Sequence, residues 1–238
     1  AFAGLVTRPL VGDNGRIGAE QIRSAARLYD DFHTPKTRVV SIENTHNSSG
    51  GRVWPLEELD AVVDCCRELG LRLHLDGARL FNAAVALGVP ASRISERANT
   101  VTVCLSKGLG CPLGAVVAGS SELMLRARRF KHMIGGAMRQ AGIVAASGVY
   151  ALEHNIDRLA EDHARARRLG EGLAAAGLPV DPEEVETNFV QIDLEPLGLS
   201  QPEALERVHQ AGVGISATVI PTRLRAVTHL DVTDEDIE

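Results

Sequence analysis

Three short apolar runs, each ending on a polar stretch, are separated by helical patterns, and that alternation limits what this chain folds into. The runs are Arg38-Val39-Val40-Ser41-Ile42-Glu43, Leu71-Arg72-Leu73-His74-Leu75-Asp76 and Thr100-Val101-Thr102-Val103-Cys104-Leu105, the last leading into Ser106-Lys107-Gly108-Leu109-Gly110. Between the first two, Leu56, Leu59, Val62, Val63, Cys66 and Leu69 recur at helical spacing after Pro55, and Gly70 closes the pattern. A short helix from Ala78 to near Gly88 follows the second run, and Gly114–Gly119 reads as a fourth strand with Ser120 or Ser121 capping the next helix. A further helix is expected over 19–30, after the turn at Gly12-Asp13-Asn14-Gly15. Strands that alternate with helices and read as buried runs predict an α/β sheet, mainly parallel, covered on both faces.

The remaining sequence changes character. From about Gln140 to Ala176 the pattern is helical with few breakers, which predicts one long helix joining two units, closed by Gly177 and Pro179. A strand at Asn188–Asp193, a helix near Pro202–Gln210 and strands near Val213–Thr218 and Ala226–His229 then predict a small α+β domain. The expected division is a large domain over 1–150 and a small one over 151–238, with the boundary inside 145–180.

Composition narrows the function classes. With 238 residues and 45% apolar content the chain can bury a core, and 3% aromatic content means a core of Ala, Val, Leu and Ile. A net charge of −6 argues against general affinity for nucleic acid or anionic membrane. No run reaches the roughly 18–20 apolar residues of a membrane span, and Ala1-Phe2-Ala3-Gly4 lacks the basic start of a signal peptide. The four cysteines show no Cys-x-x-Cys or zinc spacing, so reduced thiols and a cytoplasmic setting are expected, with Cys104 and Cys111 as packing residues. The absence of a starting Met and an end inside a new helical pattern read as a fragment cut at both ends.

Chemistry is expected where strands end. Lys107 follows a buried strand and precedes a glycine turn, which puts an amine at the C-terminal end of a sheet strand, the usual place for function in open α/β folds. A lysine held there can lose its proton and attack a carbonyl to form a Schiff base. Asp76 ends the neighbouring run and can act as base, bind a metal or hold a protonated ring nitrogen, or simply cap the turn after it. Arg79, three residues on, can pair with Asp76 or grip a carboxylate. His33 and His46 flank the first strand, where lone histidines are more often structural. The basic run Arg126–His132 reads as a solvated helix face, whereas the two glycines of Gly135-Gly136-Ala137-Met138-Arg139-Gln140 permit close approach of Arg139 to a phosphate. Walker, Gly-x-Ser-x-Gly and His-Glu-x-x-His patterns are all missing, which leaves nucleotide hydrolysis, serine hydrolysis and zinc proteolysis without support.

Five segments in order resemble the threonine aldolases, pyridoxal-phosphate enzymes of the aspartate-aminotransferase fold. They are Glu43-Asn44-Thr45-His46-Asn47, His74–Ala83, Ser106–Gly110, Gly135–Gly142 and Val227–Val232. The resemblance implies that Lys107 forms the Schiff base with pyridoxal 5'-phosphate and that Asp76 pairs with the pyridine nitrogen. It implies that Arg79 lies near the cofactor's phenolic oxygen or the substrate carboxylate, and that Arg225 grips that carboxylate. His33 matches a histidine near the substrate β-hydroxyl, His46 a weaker active-site loop candidate, and Arg139 an arginine reaching cofactor phosphate in a neighbouring subunit. A homodimer or homotetramer with shared sites is therefore implied, acting on a small β-hydroxy-α-amino acid and not on nucleic acid or membrane.

There are departures from the family pattern. About 90 further N-terminal residues, with a phosphate-cradling turn and a ring-stacking histidine, are expected upstream for a two-domain enzyme of this kind. His132 stands where some relatives carry a lysine, and the extra Ile220-Pro221-Thr222-Arg223 stretch makes Arg223 a rival of Arg225. The expected reaction is cleavage of L-threonine or its allo isomer to glycine and acetaldehyde. Its rivals are another β-eliminating or retro-Claisen-type lyase on the same scaffold, and a non-catalytic fragment of such an enzyme.

Overall fold

The computed structural model describes residues 3–238. In chain order it runs α1 (Ala19–Ala25), β1 (Val39–Glu43), α2 (Leu56–Glu68), β2 (Arg72–Asp76), α3 (Leu80–Leu87), α4 (Ala91–Ser95), β3 (Thr100–Cys104) and β4 (Ala115–Gly119). Then follow α5 (Ser121–Met133), α6 (Gly142–His154), α7 (Leu159–Ala175), β5 (Phe189–Asp193), α8 (Gln201–Gln210), β6 (Ser216–Ala217) and β7 (Arg223–Val227). The first sheet has the order β1-β2-β3-β4, parallel through β3 and antiparallel at β4; the second has the order β5-β7-β6 and is antiparallel.

Side-chain alternation explains the first sheet. Val40, Ile42, Leu73, Leu75 and Val101 share one buried face, against which α2 lays Leu59, Val62, Val63 and Cys66. Each fully buried Val or Leu there contributes roughly 1.5–3 kcal/mol. The opposite face carries Ser41, Glu43, His74, Asp76, Thr100 and Thr102, in a register that sets Glu43, Asp76 and Thr102 side by side. Because the three strands are parallel, their C-terminal ends meet at one edge of the sheet, and Lys107 follows the third of them. Trp54, just beyond the loop after β1, is buried and donates through Nε1 to the Glu43 carbonyl at 2.9 Å.

Three elements differ from the expected pattern. The helix expected over 19–30 ends at Ala25: Ala26 turns extended, and Arg27 pairs with Thr37 through N–H to Oγ1 and through the return N–H to carbonyl bond. The single helix expected over 140–176 is two, α6 and α7. Asn155 ends α6 and sends its Nδ2 to the Leu109 carbonyl at 2.8 Å, a tertiary contact that periodicity does not reveal. The last strand is Arg223–Val227, not 226–229, and the strand before it shrinks to Ser216–Ala217. Arginine stems pack well enough in a strand for Arg223 and Arg225 to alternate with buried Leu224 and Ala226. Among the described residues no helix is long and apolar enough to cross a membrane, and no cluster of side chains has metal-binding composition.

Candidate active site

The turn that carries Lys107 is rigid by construction. Leu105 donates to the Gly114 carbonyl (2.9 Å), Cys111 to the Leu105 carbonyl (3.1 Å) and Gly110 to the Lys107 carbonyl (2.8 Å). Gly110 has φ +75°, which only glycine adopts without strain, and a Cβ at Gly108 would lie 2.8 Å from Leu159 Cδ2. Leu105 and Leu109 point inward, so Lys107 between them faces solvent at the mouth of a cavity of about 450 Å³.

That cavity lies between the two sheets. Its lining includes Arg79, Asn82 and Lys107 from the first, and Asn188, Phe189, Arg225 and Asp231 from the second and its C-terminal extension. Arg79 follows β2, and its Nη2 donates to Asn47 Oδ1 at 3.0 Å; Arg225 on β7 donates from Nη1 to the same oxygen at 2.8 Å. Both guanidinium carbons sit over the ring of buried Phe189, at 4.6 and 4.7 Å from its centroid. Burial, then the neighbouring Arg225 charge, pull the Arg79 pKa down, against the opposing pull of Glu43; burial alone lowers that of Arg225. Arg225 Nε is buried with no acceptor among the described residues.

Asn47 is held in place by the loop after β1. Its N–H donates to Glu43 Oε1 at 3.0 Å, and the loop is pinned to the second sheet by Thr187 Oγ1 on the Gly51 carbonyl, Gln191 Nε2 on the Ser48 carbonyl, and Arg52 on Glu184 and Glu186. On β7 Arg223 stands opposite Asp193 and reaches diagonally to Gln191 Oε1 at 2.6 Å. Arg225, not Arg223, therefore lines the cavity.

The other sequence candidates stand apart from the cavity wall. Asp76 sits at the end of β2 and accepts from the Ala78 N–H at 3.0 Å, the turn-capping role. The Asp76–Arg79 ion pair allowed by the spacing is not formed among the described residues; Arg79 goes to Asn47 instead. His46 contacts Ser49 Oγ at 2.8 Å and Glu43 at 3.8 Å, and its ring fills the space a Gly15 side chain would need. His33 is exposed, its ring centroid 4.0 Å from that of Phe32 at a 42° tilt, and Arg139 is exposed in the segment between α5 and α6. Sequence reasoning missed Asn47 as the shared acceptor, Phe189 as the platform, and the Asn82–Asn188 pair. Asn47 and Asn82 had left a trace, inside the segments Glu43–Asn47 and His74–Ala83, but nothing there marked their partners.

The beta-eliminating lyase family model matches residues 1–195. The chain is 42% identical over 232 residues to the probable low-specificity L-threonine aldolase 2 of Arabidopsis thaliana, covering 95% of this chain and 64% of that protein. It thus spans about two thirds of that relative's length. Its fold superposes with a TM-score of 0.76 on the threonine aldolase of Leishmania major, at 20% identity, over 98% of this chain and 67% of that one. A Thermus thermophilus aspartate aminotransferase variant gives 0.64 at 19% identity, over 94% and 58%. The fold is that of these structures: a mainly parallel α/β sheet flanked by helices, followed by a smaller α+β unit.

Proposed function

The chain belongs to the beta-eliminating lyase family, and on that premise we propose that it carries the catalytic lysine of a pyridoxal-phosphate-dependent aldolase. The substrate is a β-hydroxy-α-amino acid, L-threonine or its allo isomer, and the products are glycine and acetaldehyde. The observation that supports this most is the juxtaposition in one cavity of the Lys107 amine with the Arg79–Arg225 pair.

The residues present fit such a cofactor–substrate pair. Three cationic side chains, Arg79, Lys107 and Arg225, line the cavity, and Arg225 Nε is a buried donor without an acceptor, both of which favour an anionic occupant. Bound pyridoxal phosphate supplies an electron sink for the pair left on Cα when the Cα–Cβ bond breaks. Lys107 tethers it through its Nζ, and Asp76, at the end of the adjacent parallel strand, keeps a proton on the ring nitrogen. Arg225, braced by Asn47, holds the substrate carboxylate, with Arg79 beside it. The β-hydroxyl gives up its proton, the Cα–Cβ electrons go to Cα, acetaldehyde departs and Cα is reprotonated. His33 is assigned the hydroxyl proton on its match to the family histidine near the substrate β-hydroxyl. His46 orders the loop that presents Asn47, and Arg139 serves cofactor phosphate in a neighbouring subunit of a cytoplasmic homodimer or homotetramer. The division into a cofactor domain over 1–150 and a small domain over 151–238 belongs to the same reading.

Titration of the full-length protein with pyridoxal phosphate tests it. A visible absorbance that requires Lys107, with glycine and acetaldehyde as products, is expected. Lys107→Ala retaining that absorbance and normal turnover would overturn the assignment. Pyruvate and ammonia as products would favour a β-eliminating lyase, and residues 1–238 purified alone, folded by circular dichroism yet without the absorbance, would favour a non-catalytic fragment.

A further inference from the structure

Behind the cavity runs a closed ring of hydrogen bonds that the proposed chemistry does not use. Asn188 Nδ2 donates to the Thr228 carbonyl at 2.9 Å, which fixes the orientation of its amide and leaves Oδ1 as an acceptor. Asn82 Nδ2 donates to that oxygen at 3.5 Å, so Asn82 presents its NH2 group on this side. The same nitrogen lies 3.1 Å from His163 Nε2. An NH2 group facing Nε2 requires that nitrogen to be bare, so His163 is neutral with its proton on Nδ1. Burial pushes the His163 pKa down to about 4, in keeping with that state. Thr228 Oγ1 donates to the carbonyl of Asp162, the residue before His163, at 2.6 Å and closes the ring. Both Asn82 N–H bonds are committed, and its Oδ1 lies 3.6 Å from where a Cβ on Gly108 would stand. Asn82 and Asn188 are 4% and 5% exposed and both line the cavity.

We propose that His163 and Asn82 are positioning residues that couple the lysine side of the cavity to its arginine side. His163 on α7 orients the Asn82 amide. Asn82 packs beside the Gly108 turn on one side, with its Oδ1 3.6 Å from the Cβ position there, and donates to Asn188 on the other. Asn188 and Thr228 fix the end of β7, just beyond Arg225. A substrate held by its carboxylate at Arg225 and its amine near Lys107 needs the spacing between those two groups to be constant, and the ring ties Asn82, packed beside Gly108, to the end of the strand that carries Arg225. This deepens the proposed function and rests on its reading of Lys107 and Arg225 as the two ends of one site.

The test compares His163→Leu, which removes the acceptor, with His163→Gln, which restores one near the Nε2 position, in the full-length protein. Leaving a buried Asn82 N–H without a partner is expected to speed amide exchange in both segments 105–111 and 223–229 roughly tenfold, and to raise KM by a similar factor with kcat less affected. His163→Gln is expected to return both toward wild type. Faster exchange confined to α7, or no recovery with Gln, would overturn the coupling. Should His163→Leu not fold, Asn82→Ala reads the same connection from its other end: unchanged exchange in 223–229 overturns the proposal, and faster exchange there supports it. Absence of a Lys107-dependent absorbance in the wild type would bring down the cofactor reading alone, because the exchange result decides the coupling without cofactor.

Discussion

Arg79 and Arg225 share a single acceptor, Asn47 Oδ1, although they come from different sheets and carry the same charge. Asn47 draws together two guanidinium groups that would otherwise repel, and Phe189 beneath them offers one ring face to both. Among the described residues Arg225 Nε stays a buried donor without an acceptor.

Asn47→Ala should loosen that pair. Loss of one shared charge-assisted acceptor predicts a KM increase of roughly tenfold with a smaller change in kcat. Asn47→Asp should be worse for substrate, by roughly a hundredfold in KM, because the new carboxylate occupies the donors the substrate needs. Its melting temperature should not fall, since both arginines gain a counter-charge. Steady-state kinetics together with thermal melts separate the two variants.

Acid should weaken the fold through His163. Its ordinary pKa of 6.5 drops to about 4 in the folded chain, so between those pH values the unfolded chain takes up a proton that the folded one refuses. Stability is therefore flat above about 6.5 and falls as pH drops toward 4, by up to about 3 kcal/mol from this group. Urea melts from pH 4 to 8 should show that slope, and His163→Gln should remove it.

Asp162 is fully buried and its carboxylate meets Arg158 one turn earlier on the same helical stretch. Removing the arginine strands a buried charge, so Arg158→Ala should cost about 3–5 kcal/mol in urea melts. Asp162→Asn should cost less. The double variant should be more stable than Arg158→Ala alone, an inequality that simple additivity does not give.

The strand ends were legible because period-two alternation and glycine turns are local signals. Lys107 and Asp76 could be placed at strand ends from Thr100–Gly110 and Leu71–Gly77 without any tertiary information. Arg225 followed from its likeness to a family pattern, and its place in the cavity wall, with Arg223 tied to Gln191 instead, then separated the two. The break between α6 and α7 was not legible, since Asn155 ends the helix by reaching back to Leu109. Nor was the bond between Asn82 and His163, whose partners lie 81 residues apart. An asparagine in a helical pattern and a histidine in another carry no mark of each other until both helices are packed.

Gly108 and Leu159 claim one volume, since a Cβ on the glycine would stand 2.8 Å from the leucine Cδ2. The two positions should therefore drift together through evolution. Alanine alone at 108 should cost about 1–3 kcal/mol through overpacking, and it should be tolerated where 159 has shrunk to alanine. A library randomised at both sites, selected for folding, should return that anticorrelation in size. The packing of the turn that carries Lys107 thereby restricts which mutations are available to a helix some fifty residues downstream in the sequence.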